Sequence, residues 1–279
     1  MVPRSVTSAD GTRIGYRELG EGPGVVLVHG GMQSAQNFDR LAKALSGAFR
    51  VCVPDRRGRG RSGGFGPAYG LARETEDLSA LLAQTSARYV FGLSSGALIA
   101  LHAALELPIT KLAIYEPPLT IGEADPARWV AQYEQAIERG DLAAAMVTVL
   151  KGTGDARVLT YLPSMLLVPM LRQGIRKDAA EGDDTRVKIR DLIPTMGRDA
   201  ALQREASAEL SRFAQLSCKL LLMGGARSHQ ELRRGLDSFA ALVPHAKRVT
   251  LGDAGHVAAD NNGKPELVAA HLRAFFEQS

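Results

Sequence analysis

The sequence is poor in cysteine, in aromatics and in long apolar runs. Cys52 and Cys218 are the two cysteines in 279 residues, and both lie in apolar, strand-like stretches. Two such residues build neither a disulfide framework nor a metal-ligand spacing, which fits a reducing compartment. No metal or cofactor is expected. The longest uncharged apolar stretch in the middle of the chain, Val158 to Leu171, is too short for a bilayer and holds Pro163 and Pro169. The opening Met-Val-Pro-Arg-Ser-Val-Thr has no apolar signal-peptide core, so a cytoplasmic protein without membrane association is expected. Net charge is small as well, at +4, and nothing concentrates it except Arg56-Arg57-Gly58-Arg59-Gly60-Arg61. That run has no aromatic interleaving, and its glycines suit a tight turn, so no nucleic-acid partner is expected.

What is present is a soluble globular composition, 45% apolar and 23% charged. Its focus is Tyr89 to Leu101, a β-branched and aromatic run, then Gly92-Leu93-Ser94-Ser95-Gly96, then a run apolar on nearly every side. The pattern G-x-S-x-G predicts a buried strand, a strained turn and a buried helix, with a serine standing clear of the backbone. Gly92 and Gly96 flank Ser94 symmetrically, which makes Ser94 and not Ser95 the nucleophile candidate. Five residues with two glycines and a serine also recur by chance, so the surrounding chain must carry the argument.

Val6 to Leu19 alternates around Asp10-Gly11, a hairpin turn. Val25-Val26-Leu27-Val28 reads as a strand buried on both faces and ends in His29-Gly30-Gly31. A helix is predicted over 35–45, a strand over 50–54, a helix over 71–84 and a strand over 111–115. That alternation implies a parallel sheet with helices on both faces. The rhythm stops from about Leu119 to Leu216, where only helical patterns appear: one opened by Asp125-Pro126 and closed by Gly140, one opened by Asp141, a Leu- and Met-rich one over 161–171, and a polar one over 198–210. It resumes with a strand over 218–223, a helix over 230–242, a strand over 248–251 and a last helix opened by Pro265. The expectation is a core domain of residues 1–118 and 217–279 with a helical cap of residues 119–216.

With those pieces in order, the chain resembles the α/β-hydrolase family over nearly its whole length. The resemblance rests on His29-Gly30-Gly31, on the Asp55 to Ser62 turn (Asp-x-Arg-Gly-x-Gly-x-Ser), on the elbow, on the helical insertion and on the turn ending in His256. It implies a mostly parallel eight-stranded sheet with a helical cap insertion. It further implies His256 as the base for Ser94, and the amides of Gly31 and Ser95 as the oxyanion hole. The commoner family pattern puts an Asp just after the strand corresponding to Cys218–Met223. This chain has no acid there before Glu231. Glu116 stands at the end of the strand after the elbow helix, an arrangement similar to zearalenone-type lactonases and to one subgroup of haloalkane dehalogenases. The dehalogenases use an Asp nucleophile, against which Ser94 argues. The resemblance therefore gives Glu116 as the acid, with Asp253, Asp260 and Glu231 as substitutes.

The function expected is cleavage of a carboxylic ester or lactone of a hydrophobic small molecule through an acyl-enzyme on Ser94. Trp129, Tyr133, Met146, Tyr161 and Met165 are the candidate substrate-binding residues of the cap, although Leu and Met at helical spacing are commonly core. The alternatives are a carbon–carbon bond hydrolase, an acyltransferase or perhydrolase with the same residues, and a non-catalytic binding protein on this fold. Oligomeric state is left open.

Overall fold

The computed structural model of the chain describes residues 1–119, 129–153, 162–183 and 186–278. Its sheet has eight strands: β1 (Val2–Thr7), β2 (Arg13–Leu19), β3 (Gly24–Val28), β4 (Arg50–Pro54), β5 (Tyr89–Leu93), β6 (Lys111–Tyr115), β7 (Lys219–Gly225) and β8 (Lys247–Leu251), in the order β1-β2-β4-β3-β5-β6-β7-β8. β1 and β2 pair antiparallel, as do β2 and β4, and every later pairing is parallel. The fold class expected from the sequence is the one observed. β1 extends the anticipated hairpin back to Val2; as an exposed edge strand it carries little apolar alternation.

Alternate residues of the central strands enter different cores, as the two-residue period of a strand requires. Val26, Val28, Val90, Leu112, Ile114, Leu220 and Leu222 pack with helices α2 (Leu71–Thr85), α3 (Ser95–Ala104) and α9 (Gln230–Leu242). Val25, Leu27, Phe91, Leu93, Ala113, Tyr115 and Met223 pack on the other face with α1 (Asp39–Leu45) and α10 (Pro265–Phe276). Each Val, Leu, Ile, Phe and Met side chain among these contributes about 1.5–3 kcal/mol of burial, so both faces of the middle strands are committed and their register is fixed.

Between β6 and β7 the described residues form α4 (Val130–Glu138), α5 (Leu142–Thr153), α6 (Ser164–Ala180), α7 (Ile189–Leu192) and α8 (Met196–Ala208), with no strand among them. They have a small core of their own, built on Trp129, Tyr133, Ala145, Val149 and Ile193. Gly140, at φ 70°, ends α4 as its position suggested. The Asp125-Pro126 start lies outside the described residues. The helix expected over 161–171 instead runs to Ala180 and passes through Pro169, because the half-buried Leu171 and Ile175 extend the stripe of the buried Leu167 beyond the proline. No helix of the described residues is long and apolar enough to cross a membrane.

Candidate active site

The turn from β5 into α3 is the strained element anticipated at the elbow. Ser94 has φ 54° and ψ −123°, a conformation that L residues adopt only when their surroundings impose it. The neighbours do impose it. A Cβ on Gly92 would lie 2.5 Å from the Gly96 carbonyl oxygen, and one on Gly96 would strike the backbone of Val28 and His29. Ser94 N–H donates to the Tyr115 carbonyl at 2.9 Å, so the bend hangs on the adjacent strand. Met32 and Glu116 also have positive φ, 50° and 45°; all three border or build the same site.

His256 follows β8 and reaches both other candidates. Its Nε2 lies 3.0 Å from Ser94 Oγ and its Nδ1 lies 2.8 Å from Glu116 Oε2. A carboxylate oxygen only accepts, so Nδ1 carries the proton and Nε2 keeps a lone pair for the serine hydroxyl. The other carboxylate oxygen of Glu116 accepts from the Gly225 amide at 2.7 Å, and the side chain is fully buried. The residue before it, Tyr115, donates its hydroxyl to the Gly255 carbonyl at 2.8 Å, which pins the backbone next to His256. Room for the carboxylate comes from Gly224, where a Cβ would sit 3.1 Å from Glu116 Oε1. The substitute acids lie elsewhere. Asp253 is exposed and pairs with Arg227 and Lys264, Glu231 is 82% exposed, and Asp260 is held by Gln33 and Asn37.

A cavity of about 400 Å³ opens over Ser94 and His256, with Gly31 and Ser95 on its wall. Of the cap candidates, Trp129 borders it. Tyr133 and Met146 do not; Tyr133 is packed in the helical insertion's own core, its hydroxyl donating to the Ile193 carbonyl at 2.8 Å, and Met146 packs against that core. Met165 faces outward at 78% exposure, because α6 turns Leu167 inward instead. Tyr161 lies outside the described residues. The apolar wall is supplied by Leu119, Val149, Leu150, Ile189, Met196 and Leu232, several of them unremarkable in sequence.

The arginine turn is the feature whose role the sequence hid. Arg56, Arg57 and Arg59 are buried and paired with carboxylates. Arg57 joins Asp77 and Asp10, both at 2.6 Å. Arg56 reaches Glu74 at 3.0 Å and Asp199 at 2.8 Å, and Arg59 reaches the second oxygen of Asp199 at 2.5 Å. Asp199 comes from α8, so this ion-pair cluster joins the helical insertion to the core beside the elbow. Burial opposes the ionised form of Asp199, yet Arg59 and Arg56 outweigh it and hold the carboxyl below its ordinary value. Arg56 also donates to Ser95 Oγ at 3.1 Å, so that hydroxyl is engaged within the ion-pair cluster. No local pattern in the sequence marks Asp199 as the partner of Arg56 and Arg59. His29, buried beneath the same turn, donates from Nδ1 to the Gly30 carbonyl at 3.0 Å and accepts the Arg56 amide on Nε2 at 3.3 Å. Burial, with Arg59 and Arg56 nearby, holds its imidazole well below the ordinary histidine value.

A family model described as "Alpha/beta hydrolase family" matches residues 25–271. An alpha/beta hydrolase from Sphaerobacter thermophilus DSM 20745 has a crystal structure that superposes with a TM-score of 0.79, at 32% identity over 98% of this chain and 100% of that one. The 3-hydroxybutyrate-oligomer hydrolase of Cupriavidus necator is 27% identical over 268 residues, 88% of this chain and 87% of that protein. An uncharacterized hydrolase of Bacillus subtilis, YraK, is 39% identical over 102 residues, but the match spans only 35% of this chain and 38% of that protein's length.

Proposed function

The chain belongs to the alpha/beta hydrolase family, and from that premise we propose that it cleaves a carboxylic ester or lactone of a hydrophobic small molecule through an acyl-enzyme on Ser94. The observation that carries this reading is the continuous chain Ser94 Oγ to His256 Nε2, then His256 Nδ1 to Glu116, at 3.0 Å and 2.8 Å. Ser94 attacks the carbonyl carbon as its proton passes to His256 Nε2. The tetrahedral oxyanion is received by the amides of Gly31 and Ser95. Ser95 opens α3, where a first-turn amide has no partner within the helix and the helix dipole favours negative charge. Collapse expels the alcohol with the proton from His256. Water then attacks the acyl carbon, with His256 again the base, and releases the acid and Ser94.

Glu116 holds the imidazole in the required tautomer and stabilises its charged form. The apolar cavity wall supports a hydrophobic substrate, and in this reading residues 119–216 are a cap domain and residues 1–118 with 217–279 the core domain. Cytoplasmic location belongs to the same reading, supported by two buried free thiols; burial, with Glu18 nearby, pushes that of Cys52 up to about 12. Fluorophosphonate labelling followed by peptide mapping tests the assignment. Ser94 carries the label, Ser94→Ala abolishes both the label and cleavage of a chromogenic short-chain ester, and the rate falls on the acid side as His256 protonates. A label on another residue, or ester cleavage surviving in Ser94→Ala, sinks the reading.

A further inference from the structure

The segment that carries Gly31 is tied by side chains to the segment that carries His256. We propose that Gln33 and Asp260 are positioning residues, which fix the oxyanion loop against the histidine loop through a Gly30–Gln33–Asp260 hydrogen-bond chain. The proposal rests on the serine-hydrolase reading above and adds two residues to it.

The loop His29-Gly30-Gly31-Met32-Gln33 is locally weak, since two adjacent glycines leave its backbone the greatest freedom. Two features remove that freedom. Met32 adopts φ 50°, which turns the chain back on itself. Gln33 then accepts the Gly30 amide on Oε1 at 2.9 Å, closing a small ring around Gly31. The same side chain donates from Nε2 to Asp260 Oδ2 at 2.9 Å, across 227 residues of sequence. Asn37 donates to that oxygen at 2.8 Å, and the Asn262 amide donates to the other oxygen at 2.9 Å. Asp260 is in turn close-coupled to the base, because its amide donates to the Val257 carbonyl at 3.0 Å in the turn that follows His256.

These bonds satisfy buried polar groups, and in that sense they hold the fold as well. Their location argues for more. Gly31, Gln33, Asn37, His256 and Asp260 all border the one cavity, so the chain runs along the wall between an oxyanion donor and the base. An error of about 1 Å in such a donor costs about 100-fold in rate, far more than the same error costs in substrate binding. A neutral amide suits this post, for it accepts from Gly30 and donates to a carboxylate at once. Glutamate in its place keeps the first bond and sets two carboxylates face to face.

The test compares the parent with Gln33→Met, Gln33→Glu, Asp260→Asn and the double variant Gln33→Glu/Asp260→Asn. Active sites are titrated by fluorophosphonate, so that rates are per competent Ser94 and misfolded protein does not count. Gln33→Met is expected to lower kcat by about 10- to 100-fold with KM within about threefold, the pattern of a group acting in the transition state. Affinity for a boronic acid that forms a tetrahedral adduct falls in parallel. Gln33→Glu is similarly impaired, and adding Asp260→Asn, which supplies a donor to the new carboxylate, recovers at least about fivefold of the loss. An unlabelled parent overturns the serine-hydrolase reading and this assignment with it. A labelled parent whose Gln33→Met variant keeps parental kcat per titrated site, or a double variant no faster than Gln33→Glu, overturns the assignment alone.

Discussion

The backbone amide of Gly225 donates to the Glu116 carboxylate at 2.7 Å, joining the end of β7 to the end of β6 across 109 residues of chain. The commoner family position for the acid lies just beyond Gly225, so the strand that elsewhere leads to the acid here supplies a donor to one. The carboxylate leaves its other oxygen for His256.

Glu116→Gln keeps an oxygen for Gly225 but offers Nδ1 a donor where a carboxylate stood, which favours the wrong histidine tautomer. Expected is a fall in kcat of about 10³- to 10⁴-fold with little change in thermal stability. Near-parental rates in a steady-state assay contradict the role given to Glu116.

Gly224→Ala tests the space made for that acid. Its Cβ would meet Glu116 Oε1 at 3.1 Å and Leu236 Cδ2 at 2.8 Å, so both must shift. Overpacking of this kind costs about 1–3 kcal/mol, readable by denaturant titration. The rate is expected to fall by more than the stability loss explains, because the displaced carboxylate is the one holding His256. Full activity per folded molecule contradicts this.

Asp199→Ala leaves Arg56 and Arg59 buried without that counter-charge, while Glu74 still faces Arg56. Removing one partner of a buried pair costs about 3–5 kcal/mol. Glu266→Ala, which breaks the exposed pair with Arg40 at 2.9 Å, costs less than about 1 kcal/mol. Equal losses for the two variants in urea unfolding contradict the weight placed on the buried cluster.

His29 makes stability depend on pH. Folded, its imidazole titrates well below the ordinary value; unfolded, it titrates near ~6.5. Below that pH the unfolded chain binds the extra proton, so stability rises with pH. The contribution is complete above about pH 6.5 and is lost as pH falls toward the folded value. Tm is expected to drop from pH 7 to 5 in the parent and to drop less in His29→Asn, whose amide still donates to Gly30. Identical slopes contradict the assignment.

Much of this site is legible in the sequence because its demands are local. Gly92 and Gly96 single out Ser94 through steric contacts within one turn, and β3 and β5 announce themselves by apolar runs committed on both faces. Glu116 was reachable only through a resemblance, since nothing local distinguishes it from any acid at a strand exit. The ion pairs of Arg56 and Arg59 were not readable at all. Their partner Asp199 lies 140 residues beyond Arg59, and charge compensation over that span leaves no periodic trace. Tyr133 and Met146 lie away from the cavity for a related reason. Helical spacing marks which residues face inward, but not whether inward means the substrate cavity, as for Trp129, or the insertion's own core, as for Tyr133.

With Glu116, just past the end of β6, proposed as the acid, the stretch after β7 has no part in the proposed chemistry. His229, Glu231 and Leu232 still border the cavity, while the hydrogen bonds that link Ser94 to His256, His256 to Glu116 and Glu116 to Gly225 run through none of them. That stretch can change in sequence while the proton path stays intact, which makes it the natural place to diversify when a library is built for altered substrate range.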